Sequence, residues 1–169
     1  MVLGMSLQAF TLVHVIISLI AIAVGLIVMF GLLGSNPMPA LTAIFLLFTI
    51  LTNVTGLLFP FKELLPSYII AGISLVLLAI ACFALYGMKL RGAWRPVYIV
   101  TAMISLYFNV FVLVIQSFLK VPALAALAPA VPPNPPGGPV FAAVQGIVLV
   151  FFVIVTIGAW RRYRPVAFA

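Results

Sequence analysis

His14 is the chain's single histidine, Glu63 its single acidic side chain and Cys82 its single cysteine, and these three bound the chemistry available. An imidazole can ligate a metal or haem iron, or relay a proton near neutral pH. One histidine supplies one ligand, so a bis-histidine haem would require a second copy or a partner subunit. Paired-carboxylate acid-base catalysis needs two acids, and a Ser-His-Asp triad needs an aspartate. The chain has neither. Ser18 stands four residues from His14 on the same helical face, but with no third group to orient the imidazole that pairing reads as a packing hydrogen bond. Glu63 sits beside Lys62 in a connection between hydrophobic spans, so no buried carboxylate is left for proton coupling. A lone cysteine inside a span excludes an intrachain disulfide and a CxxC metal site. No Gly-rich phosphate loop is present. The chain reads as non-enzymatic, with no catalytic residue and its metal chemistry undetermined.

The other side chains able to bind anything are neutral amides. Counting about 1.5 Å per residue from the outer ends of the spans places His14 and Gln145 roughly 7 Å deep, Asn53 about 12 Å, Asn109 about 15 Å and Gln116 about 5 Å. They share the outer half of the membrane. One reading is an outward-facing polar pocket for a small molecule, a quinone head or a haem edge. The other is interhelical hydrogen bonding that fixes the packing, the usual role of neutral polar residues in membrane bundles. The second reading is preferred.

Those residues must be positioned by membrane-crossing helices. The 169 residues are 67% hydrophobic and 5% charged, against about a quarter charged in soluble domains. A spanning helix takes roughly 20 apolar residues. Five fit, at about 9–33, 39–61, 67–88, 96–119 and 139–160, in one membrane domain. The stretch before the first span has no Lys or Arg and the span is too long for a signal peptide, so it is expected to stay. Gly34-Ser35-Asn36-Pro37 ends the first span, Pro39 and Pro96 open the second and fourth, and a Pro-rich linker, 121–138, precedes the fifth. Its core at 132–138 is expected to be extended and semi-rigid.

Of the eight Lys and Arg residues, six (Lys89, Arg91, Arg95, Arg161, Arg162 and Arg164) fall on one side of a five-span chain, and Lys62 and Lys120 on the other. The positive-inside bias predicts a cytoplasmic C-terminus, an outside N-terminus and an external linker. The net charge of +7 flanks hydrophobic spans, which points to lipid headgroups rather than nucleic acid. Trp94, Tyr98, Trp160 and Tyr163 are expected as interfacial aromatics. No internal repeat is seen, and an odd span count argues against two equal inverted halves.

Each span gathers its small and polar residues on one face, expected to line the bundle interior. The sets are Thr11, His14, Ser18, Ala21 and Gly25; Thr42, Thr49, Asn53 and Gly56; Ser67, Ala71, Ser74 and Ala81; Thr101, Ser105, Asn109 and Gln116; and Ala142, Gln145 and Thr156. The fourth set lies within about 80° at 100° per residue. Ala21-x3-Gly25 and Ala142-x3-Gly146 are small-xxx-small pairs that allow close backbone approach.

The stretches Leu51-Thr-Asn-Val-Thr-Gly-Leu-Leu-Phe-Pro-Phe61 and Ser105-Leu-Tyr-Phe-Asn-Val-Phe-Val-Leu-Val-Ile-Gln116 resemble segments of small polytopic bacterial inner-membrane proteins with no assigned activity. The resemblance covers spans two to four. It implies the bacterial inner membrane and transfers no site residue. The functional expectation is a multi-pass protein acting by helix association, as an accessory subunit or self-associating bundle. Its partners would be the lipid bilayer and a homo-oligomer or larger membrane complex. The alternatives are a redox subunit holding haem b or quinone near His14, and an oligomeric small-molecule or ion carrier. A carrier needs polar residues through the full depth, and here they thin toward the cytoplasmic side.

Overall fold

The computed structural model describes residues 2–60, 66–128 and 136–165. Its regular structure is helical: α1 (Leu7–Leu33), α2 (Pro39–Leu57), α3 (Pro66–Cys82), α4 (Trp94–Lys120), the single turn α5 (Pro122–Ala125) and α6 (Pro139–Arg162), with a π-helical turn, Phe83–Gly87, continuing α3. Five of these elements are long and apolar enough to cross a membrane.

The expected spans are found with shifted ends. The α1 helix starts two residues early because Ser6 caps it, its hydroxyl accepting from the Ala9 amide at 3.2 Å. At the other end, Ser35 N–H donates to the Leu32 carbonyl and Asn36 N–H to that of Gly31, at 3.2 and 2.8 Å. This is a Schellman closure with Ser35, at φ 57°, in the left-handed position usually taken by glycine. Met38 folds back onto Gly31, where a Cβ would lie 2.9 Å from its sulfur. A close α1–α2 hairpin results. The α2 helix stops at Leu57, short of the expected 61, and Phe61, Lys62 and Glu63 lie outside the described residues. The α4 helix begins at Trp94, so Pro96 sits inside its first turn, where no intrahelical donor is lost. At the near end of the linker, Pro122 starts the α5 turn, and Ala128 and Pro136 are buried. Most of the linker's other described residues, among them Val121, Leu127, Gly137 and Gly138, are exposed. Residues 129–135, which include most of its proline-rich core, lie outside the described residues.

Helices α1 to α4 pack each against the next in chain order, and α4 also meets α1 and α2. The α6 helix docks across α1 and α4. Its buried residues, Gln145, Phe152, Val155 and Ala159, follow a narrow helical stripe. Phe152 meets Tyr107 edge-on and Phe141 meets Phe118, with centroids 5.6 and 5.4 Å apart. Arg95 then ties the far end, its guanidinium donating to the carbonyls of Trp160, at 3.0 Å, and Tyr163. The Arg164 amide donates to Ser35 Oγ at 2.8 Å. The 3–4 loop, the α1–α2 turn and the end of α6 thus share one end, the basic end.

The apolar core lies in the half of the bundle next to that end. It comprises Val28 to Leu32 of α1, Phe45 and Leu46 of α2, Leu78 to Leu85, Tyr98 to Leu106 of α4 and Phe152 to Ala159 of α6. Tyr98 and Tyr163 belong to it, each 1% exposed. Both stay at the basic end, where interfacial aromatics are expected, but turn inward rather than outward. Trp160 keeps its exposure.

Candidate functional site

The half of the bundle away from the basic end holds the predicted polar residues, and three of them, His14, Asn53 and Gln145, form separate interhelical ties. His14 Nδ1 lies 2.7 Å from Thr55 Oγ1. The Thr55 hydroxyl proton is taken by the Leu51 carbonyl, also at 2.7 Å, so the network assigns the Nδ1 proton to the imidazole, with Thr55 accepting. The unprotonated nitrogen is then Nε2. Phe59 meets the ring edge-on at 5.2 Å and stacks in turn against the buried Phe10. Gly56 leaves room for the imidazole: a Cβ there would lie 3.6 Å from Cε1. The ammonium of Lys120, at the same end of α4, is within electrostatic range.

Asn53 serves the α2–α3 interface. Its Nδ2 donates to the Thr49 carbonyl at 2.8 Å and to Ser74 Oγ at 3.1 Å, and all three residues are buried. Gln145 ties α6 to α4, Nε2 donating to the Phe111 carbonyl at 3.1 Å. Two buried polar atoms remain without a partner among the described residues, Asn109 Nδ2 and Gln145 Oε1. No two of the five predicted site residues hydrogen-bond to one another. What the sequence offered as one cluster is a set of fastenings on three helix pairs.

Gln116 is a correction. It is exposed, although it shares a helical face with Asn109. Ser67 and Ala142 are likewise exposed rather than interior. The first small-residue pair works inside the bundle: Ala21 and Gly25 are buried, and a Cβ on Gly25 would lie 2.6 Å from Leu106 Cδ1 and 2.8 Å from the Phe45 ring. The second faces outward, and a Cβ on Gly146 would meet nothing within 4 Å.

Thr55 escaped the sequence reading because it lies 200° around α2 from Asn53. A helix with α1 on one side and α3 on another has polar contacts on both, and a single stripe captures one. Arg95 was counted as a loop charge, with no sequence signal that its reach ends on α6 carbonyls. Toward the basic end the buried polar residues Thr42, Thr49, Thr101 and Ser105 lie among the apolar core, each hydroxyl donating to a backbone carbonyl. Chemically, the arrangement fastens helices; its ligand-capable atom is His14 Nε2, which would need a second donor from elsewhere. Compared with protein-family models, curated proteins and solved structures, the chain matches none.

Proposed function

We propose that the chain is a multi-pass protein of the bacterial cytoplasmic membrane that acts by helix association, as an accessory subunit or a self-associating bundle, with its C-terminus and 3–4 loop cytoplasmic and its N-terminus outside. The observation that carries this is the lopsided docking of α6. Its inner stripe is tied down by Gln145, Phe152 and the Arg95 clamp, while Ala142 and Gly146 face outward with no neighbour. Small residues on an outward face admit another helix at close backbone distance, the favoured geometry where lipid gives no hydrophobic drive. The His14, Asn53 and Gln145 contacts fit the same reading, since each holds the bundle together from within.

The test places one cysteine at Ala142 or Gly146 in a Cys82→Ala background and oxidises native membranes. A cross-linked dimer that Gly146→Leu abolishes supports self-association. A chain that stays uncross-linked, and that is monomeric with no stoichiometric partner when taken into nanodiscs, overturns it. Orientation is checked separately: a phosphatase fusion after Arg164 should be inactive and one inserted at Asn134 active. An absorption spectrum of the same preparation addresses the redox alternative, which a Soret band dependent on His14 would promote.

A further inference from the structure

On the lipid-facing side of the basic end, the last turns of α6 and the end of α1 form a groove of about 470 Å³. Its walls are apolar, from Leu33, Ile154, Ile157 and Gly158, and Arg161 and Arg162 close its upper rim. The walls come together because Gly158 has no side chain: a Cβ there would lie 2.9 Å from Leu33 Cδ2. Along α6, Ile154 lies about 10–12 Å below the arginines. The groove is thus graded, greasy below and cationic above, over the depth of a headgroup and the first carbons of an acyl chain.

The described residues include no acidic side chain, so none of them pairs with the charges on that rim. The two arginines are not needed to cap α6 either. Arg95 already donates to the Trp160 and Tyr163 carbonyls, so the C-terminal dipole has its cation. Arg161 and Arg162 are exposed and form no hydrogen bond or ion pair among the described residues. Guanidinium groups match phosphate oxygens in a bidentate fork, and basic pockets between helices at a membrane surface hold anionic headgroups.

We infer that the α1–α6 groove is a binding site for one anionic phospholipid, its phosphate held by Arg161 and Arg162 and an acyl chain lying between Leu33, Ile154 and Ile157. The inference rests on the membrane-spanning reading. It goes beyond it by naming a ligand class and a site.

The test uses the full chain purified in mild detergent, titrated with dioleoyl phosphatidylglycerol or dioleoyl phosphatidylcholine and read by native mass spectrometry. One phosphatidylglycerol should be retained selectively. Arg161→Gln with Arg162→Gln should weaken retention at least about ten-fold. Lys89→Gln with Arg91→Gln removes the same charge from the same end and should leave retention within about two-fold if the site, not the general field, binds. Ile154→Trp, which fills the groove from an exposed wall position without touching charge, should also weaken it. This second variant keeps the test decisive if the double arginine variant does not fold. Equal loss in both charge pairs, equal retention of the zwitterionic lipid, or displacement by millimolar inorganic phosphate would each overturn the site. Carbonate washing of membranes separates the two levels. A chain released into the soluble fraction refutes the membrane reading itself, whereas a retained chain without phosphatidylglycerol selectivity refutes the groove alone.

Discussion

Replacing Gly25 by alanine adds one methyl group at the closest approach of α1 to α2 and α4. The new carbon would lie 2.6 Å from Leu106 Cδ1 and 2.8 and 2.9 Å from two carbons of the Phe45 ring, against a comfortable carbon–carbon separation of about 3.5–4.0 Å. Leu106 and Phe45 are 1% and 2% exposed, so neither can swing outward without disturbing the core around it. Overpacking of this kind costs about 1–3 kcal/mol. Alanine also gains about 1 kcal/mol over glycine in helix propensity, which would mask part of the loss. Gly72 supplies the correction: it lies in α3, and a Cβ there meets nothing within 4 Å. Gly72→Ala should be neutral or stabilising, and the difference between the two variants isolates the packing penalty at Gly25. Thermal unfolding of both proteins in the same detergent, followed by loss of the monodisperse peak on size exclusion, measures it. At roughly 2–4 °C per kcal/mol for a chain of this size, Gly25→Ala should melt clearly below Gly72→Ala. If Gly25→Ala melts at or above Gly72→Ala, the close approach is not a packing constraint and the account of the bundle's waist is wrong.

A double-mutant cycle on His14→Ala and Thr55→Val should return a coupling of about 0.6 kcal/mol, up to about 1.7, and His14→Asn should retain more stability than His14→Gln, because Nδ1 is the engaged atom; zero coupling would break the assigned tie. Arg95→Gln should lower stability by about 1 kcal/mol and speed proteolysis after Arg162, and Arg95→Lys should rescue it only in part for want of the planar fork; unchanged cleavage would deny the clamp. Burial pushes the Tyr163 hydroxyl up to about 12, so above pH 10 the unfolded chain loses that proton before the folded chain does and stability falls as pH rises toward 12. Tyr163→Phe should therefore flatten the alkaline limb of a melting-temperature profile relative to wild type, and identical limbs would count against a buried hydroxyl.

Much of this protein could be read from residue order alone. Twenty or so apolar residues between Pro, Gly or basic punctuation have one outcome in lipid, because an unsatisfied backbone must close on itself as helix. Hence five helices long and apolar enough to cross a membrane, and hence also the position of each polar side chain along its helix, since the rise per residue is constant. His14, Asn53, Asn109 and Gln145 fall in the half of the bundle that counting assigns them. The ends moved by a few residues wherever a local tie outweighed hydropathy, as at Ser6, or where the helix wall continued as a π turn at Phe83.

Tertiary structure decided which faces meet. In an aqueous fold the apolar face turns inward, so periodicity reveals it; in a chain apolar all round, lipid and protein interior look alike and the pattern loses its direction. Gln116 shares a helical face with the buried Asn109 and is nonetheless exposed. Ala142 and Gly146 look like Ala21 and Gly25 in sequence, yet one pair is buried against Leu106 and Phe45 and the other faces out, since α1 is enclosed by neighbours and α6 is covered on one side. Thr55 bonds His14 from the face of α2 opposite Asn53, and Arg95 reaches carbonyls 65 and 68 residues away. Contacts at such separations depend on how five cylinders are arranged around one another, which each helix's own sequence leaves open.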